Sequence, residues 1–215
     1  DLHVRLHSFP TRRSSDLIQP LGCVLNALEL SRVGLGDTVA VLGAGPLGCM
    51  VMEAVRLMGA SRVILVQRSR PRLELARQFG PDVAICSSEE DPVARVLEET
   101  GGLGADVVVT ANPSPESQQD AIAMAKNRAR VNLFGGLPKG RSMVTLDTNV
   151  IHYKELFVHG AHGAMPVHHR KALDLIAAGR LDMTRYISHR FPLDRVAEAF
   201  AAAEGHLGMR VVVNP

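Results

Sequence analysis

The chain contains no tryptophan, two tyrosines and three cysteines in 215 residues. So few aromatic faces argue against a stacking platform for sugars or single-stranded nucleic acid. Cys23, Cys49 and Cys86 are far apart and form no C-x-x-C pair, which argues against a disulfide framework and a structural zinc knuckle. The longest apolar runs, such as Val63–Val66 and Val107–Val109, are strand-sized and far short of the roughly 20 residues that cross a bilayer. The net charge is +2, with Lys and Arg interspersed among Asp and Glu, so there is no basic stripe for nucleic acid. What remains, at 46 % apolar and 21 % charged residues, is a globular chain with enough apolar side chains for a sizeable core, expected in a reducing cytoplasm.

The first seventeen residues lack both a hydrophobic period and a signal-peptide core. They resemble the in-frame translation of a sequencing adapter, with Asp1–His3 and His7–Leu17 as its constant parts and Val4–Leu6 as the index. On that reading the native sequence starts at Ile18 by truncation. Setting aside the tail's three Arg and two Asp leaves 21 basic and 20 acidic residues, against 24 and 22 in the whole chain.

From there the periods alternate. The spacing predicts a helix over 22–33, a strand over 38–42 and a helix from Pro46. A strand over 63–66 is followed by a helix over 70–79, and a strand over 83–86 by a helix over 92–99. Then come a strand over 106–110, a helix over 116–126, a strand over 130–134 and a sixth strand over 156–160. Strand–helix alternation at this spacing implies right-handed crossovers, hence an α/β doubly wound, six-stranded parallel sheet of the Rossmann type. Beyond Met165 a helix (167–178), a strand (186–191), an Ala-rich helix (193–203) and a last strand (209–213) are expected.

Gly43-Ala44-Gly45-Pro46-Leu47-Gly48 is a complete G-x-G-x-x-G that follows a strand and opens a helix, the context that gives the motif meaning. Gly43 permits the tight turn, Gly45 leaves room for a pyrophosphate, and Gly48 allows close helix packing. The helix N-terminus presents free amides and the positive end of its dipole. Pro46 has no N–H, so the Leu47 amide is the expected phosphate donor. About twenty residues on, where an acid ordinarily holds the adenosine ribose, stands Gln67. An uncharged side chain there removes repulsion of a 2′-phosphate, and Arg68 with Ser69 can meet one. NADP is therefore expected to be accepted at least as readily as NAD. The alternative is that Arg68 and Arg70 are solvated charges and Gln67 holds an unphosphorylated ribose.

Four further segments complete a pattern: Pro20-Leu21-Gly22-Cys23-Val24-Leu25-Asn26-Ala27, Gly104-Ala105-Asp106-Val107-Val108-Val109, Phe134-Gly135-Gly136-Leu137-Pro138 and His189-Arg190-Phe191-Pro192-Leu193. With the glycine loop they resemble the zinc-dependent medium-chain dehydrogenases, in particular the sorbitol (L-iditol) and threonine dehydrogenase branch, over nearly all of the chain after Ile18. The resemblance implies that Gly43, Gly45, Pro46, Leu47 and Gly48 hold the pyrophosphate and that Gln67, Arg68 and Arg72 lie at the adenosine ribose. It places Asn112, Gly136 and Leu137 beside the nicotinamide. It also implies a zinc ion held by residues upstream of this chain, an alcohol or polyol as substrate, and a homodimer or homotetramer built through the sixth strand. No catalytic or metal-binding residue is assigned within the chain. Gln67 departs from the family's acid, and Gln19 stands where many relatives carry a Glu near the metal.

The resemblance divides the chain into the tail (1–17), a linking helix (18–36), the dinucleotide domain (37–163) and a remnant of the GroES-like catalytic domain (164–215). The strands near Ile187 and Val211 are then expected to lack partners and to expose apolar surface. His168 and His169 are expected at an exposed helix start, and His152, His159 and His162 at strand ends, as surface or packed histidines. A short-chain dehydrogenase would need Tyr-x-x-x-Lys, but Tyr153 is followed four places on by Phe157, and Tyr186 by Arg190. A methyltransferase fits the six-strand series and Gln67 poorly. A non-catalytic dinucleotide sensor needs only the loop and remains the alternative.

Overall fold

A computed structural model describes residues 17–205 and 208–214; residues 1–16 of the adapter-like segment lie outside them, while Leu17 is buried. The chain divides into two compact units. One comprises Cys23–Gly163, and the other joins Ala164 onward to residues up to Gly22.

The larger unit is a parallel sheet in the order β3-β2-β1-β4-β5-β6. Its strands are β1 (Thr38–Leu42), β2 (Arg62–Gln67), β3 (Val83–Cys86), β4 (Ala105–Thr110), β5 (Ala125–Leu133) and β6 (Phe157–Gly160). Connecting helices are α2 (Pro46–Leu57), α3 (Arg70–Ala76), α4 (Pro92–Glu99), α5 (Pro115–Ala123) and α6 (Thr148–Tyr153), preceded by α1 (Ile18–Leu30). Val39, Ala40, Val41, Val63, Ile64, Leu65, Val107 and Val108 are all fully buried, so both faces of the central strands are covered, as unbroken Val/Ile/Leu runs require. Each of the Val, Ile and Leu side chains among them contributes roughly 1.5–3 kcal/mol of hydrophobic stabilisation. The order reverses between β1 and β4, which opens a crevice beyond their carboxyl ends.

Several helix starts are signalled by side chains. Asp91 caps α4 through Val93 N (2.9 Å), Ser114 caps α5 through Ser117 N (3.3 Å), and Asp147 caps α6 through Asn149 N (2.9 Å).

Several elements differ from expectation. α1 begins at Ile18 rather than residue 22. β5 begins at Ala125 rather than residue 130, because a register shift between Ala105 and Val107 admits extra residues opposite β4, with Arg128 left-handed at φ 59°. The predicted helix over 70–79 tightens to a 3₁₀ turn at Arg77–Phe79. α6 was not anticipated.

The smaller unit contains α7 (Pro166–Ala177), β7 (Ile187–Pro192), α8 (Val196–Glu204) and β8 (Arg210–Asn214). The expectation that the last two strands lack partners is corrected, because β7 and β8 pair in parallel with each other. The exposed apolar surface expected there is present, with Leu193 60 % and Phe200 65 % exposed. His168 is also corrected. It is buried, and its Nδ1 accepts the Met165 amide at 3.0 Å, closing the start of α7.

Candidate dinucleotide site

The glycine loop joins β1 to α2 at the crevice, and its three glycines answer three different steric demands. Gly43 takes φ +119°, and a Cβ there would press on the Ala111 backbone and the Asn112 Cβ at 3.0 Å. At Gly48 a Cβ would overlap the Gly43 carbonyl oxygen. Gly45 is the opposite case: its φ of −76° suits any residue, yet a Cβ would meet nothing within 4 Å. The space it leaves open lies at the start of α2, which has Gly45 as N-cap, Pro46 in the first turn and no capping side chain, unlike α4, α5 and α6. The Leu47 and Gly48 amides of that first turn have no acceptor within the helix.

Two side chains hold the loop from β2 and α3. The Gln67 side-chain carbonyl accepts the Ala44 amide at 2.9 Å, and Arg72 Nε donates to the Ala44 carbonyl at 3.1 Å. One peptide residue is thus gripped on both polar groups. Burial pushes the Arg72 guanidinium below its ordinary pKa, against a smaller opposing effect of Cys49.

The loops after β4 and β5 close the other side. Ala111 N donates to Leu42 O at 2.7 Å, and Gly135 N to Thr110 O at 2.5 Å. A Cβ on Gly135 would overlap the Asn112 backbone, whereas Gly136 faces open space. Asn112 donates through Nδ2 to Ser117 Oγ at 2.9 Å, leaving its Oδ1 buried without a hydrogen-bond partner. The Gly43, Asn112 and Gly135 loops therefore converge, and Gly136 and half-buried Leu137 follow on the same loop.

Beyond Gln67 lies a cleft of about 430 Å³, lined by Gln67, Arg68, Ser87, Pro92, Asn112 and residues of α5, including Glu116 and Asp120. Arg68 is exposed, and its charge contributes to holding the Glu116 carboxyl below its usual range, after the larger effect of the Ser114 hydroxyl. Arg70, by contrast, is committed to Glu89 and Glu74. Ser87, Pro92, Glu116 and Asp120 were not anticipated. The spacing of Glu116 and Asp120 puts both on one face of α5, but nothing local reveals that this face meets the end of β2.

Among the described residues no group of three or more His, Cys, Asp or Glu is placed to hold an ion. His159 Nε2 lies 3.4 Å from Ser31 Oγ.

A strand order of 3-2-1-4-5-6 with a glycine-rich turn at the reversal defines a doubly wound nucleotide-binding fold of the Rossmann class. The chain belongs to the zinc-binding dehydrogenase family, whose description residues 46–178 match. It is 32 % identical over 199 residues to the L-threonine 3-dehydrogenase of Bacillus subtilis, covering 92 % of this chain and 56 % of that protein. It is 28 % identical to rat (Rattus norvegicus) sorbitol dehydrogenase, over 100 % of this chain and 59 % of the relative. A structure described as a zinc-binding dehydrogenase from Sinorhizobium meliloti 1021 bound to NADP superposes with a TM-score of 0.85 at 32 % identity, over 93 % of this chain and 58 % of that one. The chain thus spans a little over half the length of these relatives.

Proposed function

We propose that this chain is the NAD(P)-binding part of a zinc-dependent alcohol or polyol dehydrogenase, binding the cofactor's pyrophosphate at the start of α2. The observation that carries this is the contrast within one loop: Gly43 and Gly48 have no room for a Cβ, while Gly45 has open space beside an uncapped helix start. A phosphate needs that combination, because it brings acceptors for the free amides and fills the volume that a side chain would take.

When bound, the nicotinamide ring supplies hydride acceptance from a secondary alcohol. The chain's own residues bind and orient. The amides of Leu47 and Gly48 face the diphosphate, Gln67 and Arg72 keep the Ala44 peptide in register, and Gly43, Asn112 and Gly135 pack the crevice floor. Gly136 and Leu137 carry the assignment to the nicotinamide side, which rests on the resemblance.

NADP is accepted at least as readily as NAD on this reading. Gln67 carries no charge and spends its carbonyl on Ala44, while Arg68 stays exposed at the cleft. A cytoplasmic setting with free thiols at Cys23, Cys49 and Cys86, and self-association along the edge strand β6, belong to the same proposal. A non-catalytic sensor would use the same loop and is favoured if the full-length gene product shows neither zinc nor alcohol-dependent cofactor reduction.

The test is titration of the folded chain with NADPH and NADH, followed by nicotinamide fluorescence and thermal unfolding. Binding at a hundredfold excess over Kd stabilises by about 2.7 kcal/mol and raises the Tm accordingly. A folded chain unmoved by either cofactor overturns the proposal.

A further inference from the structure

The cleft beyond Gln67 has a chemical bias. Its apolar walls are Val66, Pro92 and Pro113, which suit the faces of a flat heterocycle. Its polar lining contains a carboxyl group that lacks a donor among the described residues. The Asp120 carboxyl projects from the same face of α5 as Glu116 and accepts no hydrogen bond among the described residues. Burial first, then the nearby carboxylates of Asp91 and Glu116, push Asp120 above the usual carboxylate range. An acceptor in that position gains from a donor arriving with the ligand, because the alternative is a half-buried charge facing two others.

A dinucleotide laid with its pyrophosphate on α2 and its ribose at Gln67 has one group left for this cleft, its base. We propose that Asp120 is a specificity-determining residue that reads this base as an aminopurine, accepting a hydrogen bond from the exocyclic amine of adenine. The inference rests on the dinucleotide reading above and deepens it. A base with a carbonyl oxygen in place of that amine sets lone pairs against the carboxylate and moves its donor to N1, away from the position that Asp120 faces. Discrimination then comes from unpaired acceptors rather than from shape, since the two bases are nearly isosteric.

The experiment compares NADH with reduced nicotinamide hypoxanthine dinucleotide, which carries an oxygen for the amine and a proton on N1, using fluorescence titration of the whole chain. The wild-type chain is expected to bind the hypoxanthine form about tenfold more weakly. Asp120→Asn, whose amide can accept from an amine or donate to a carbonyl, is expected to reduce the ratio to about twofold or less while binding both. Asp120→Leu is expected to weaken the adenine form toward the hypoxanthine value. A wild-type ratio near one, or a ratio unchanged in Asp120→Asn, overturns the role of Asp120 and leaves dinucleotide binding standing. If the folded wild-type chain binds neither compound, the dinucleotide reading itself falls and this inference with it.

Discussion

The side-chain carbonyl of Gln67 accepts the backbone amide of Ala44 at 2.9 Å, so the residue at the end of β2 is structurally tied to the glycine loop 23 positions earlier. With that bond made, Gln67 has its amide N–H groups and one carbonyl lone pair to offer a ribose. It also separates two functions that a carboxylate at this position would merge, loop support and exclusion of a 2′-phosphate.

Gln67→Glu keeps an acceptor for Ala44 but adds a negative charge where a 2′-phosphate would lie. Its NADPH affinity is expected to fall about tenfold or more relative to NADH, a change of about 1.4 kcal/mol. Arg68→Ala is expected to weaken NADPH and spare NADH. A clear preference for NADH in the wild type that survives Arg68→Ala would remove the NADP assignment.

Two alanine substitutions in one loop should separate folding from binding. Gly48→Ala forces a Cβ onto the Gly43 carbonyl and is expected to destabilise the chain by roughly 1–3 kcal/mol in urea unfolding. Gly45→Ala meets no protein atom and is expected to stay within about 0.5 kcal/mol of wild type. It should nonetheless lower dinucleotide affinity about tenfold, because its methyl fills the space left for phosphate. Equal effects of the two on stability would contradict the geometry.

Asn132 is buried between α1 and β5, with Nδ2 donating to the Ala27 carbonyl and the Ser31 hydroxyl, both at 2.8 Å. Removing it deletes two buried hydrogen bonds and leaves a cavity, while the Ala27 carbonyl keeps the Ser31 amide and hydroxyl as donors. Asn132→Ala is expected to cost about 1–3 kcal/mol, read as a lower urea midpoint with an unchanged m-value.

Asp106 supplies a pH handle. Burial would raise its pKa, but the Thr38 amide (3.0 Å) and the Lys126 ammonium (2.9 Å) outweigh burial and hold it below the usual range. A depressed folded-state pKa stabilises the fold above the unfolded-state value of 3.8, and that contribution disappears as pH falls through the folded-state value. Asp106→Asn is expected to cost on the order of 1 kcal/mol at neutral pH and to flatten the loss of stability below about pH 4. A mutant with the wild-type acid slope would rule out this carboxylate as a source.

How far the chain could be read in advance follows from how local each signal was. β1, β3 and α4 have the bounds expected of them, because β-branched runs and the Asp91-Pro92 start act over a few residues. The start of β5 is hidden because Ala125 and Lys126 continue the period of a helix over 116–126 and Asn127 and Arg128 look like a polar loop; only pairing with Ala105 makes Ala125 a strand residue. α6 was missed because six residues carry little periodicity, although Asp147 was an available cap. His168 departs from expectation because its ring turns inward to accept the Met165 amide, although Met165 and Val167 beside it are exposed as a helix start ordinarily is.

By itself, then, the sequence determined the alternating α/β class, the glycine loop and its steric logic, since backbone angles and capping depend on neighbours in the chain. Only the tertiary structure decided that Gln67 is spent on Ala44, that β7 and β8 find each other, and that Asp120 comes to line the cleft beyond Gln67. Those outcomes depend on which strand ends and helix faces the sheet order brings together, and a polar side chain takes whichever partner that packing leaves within reach.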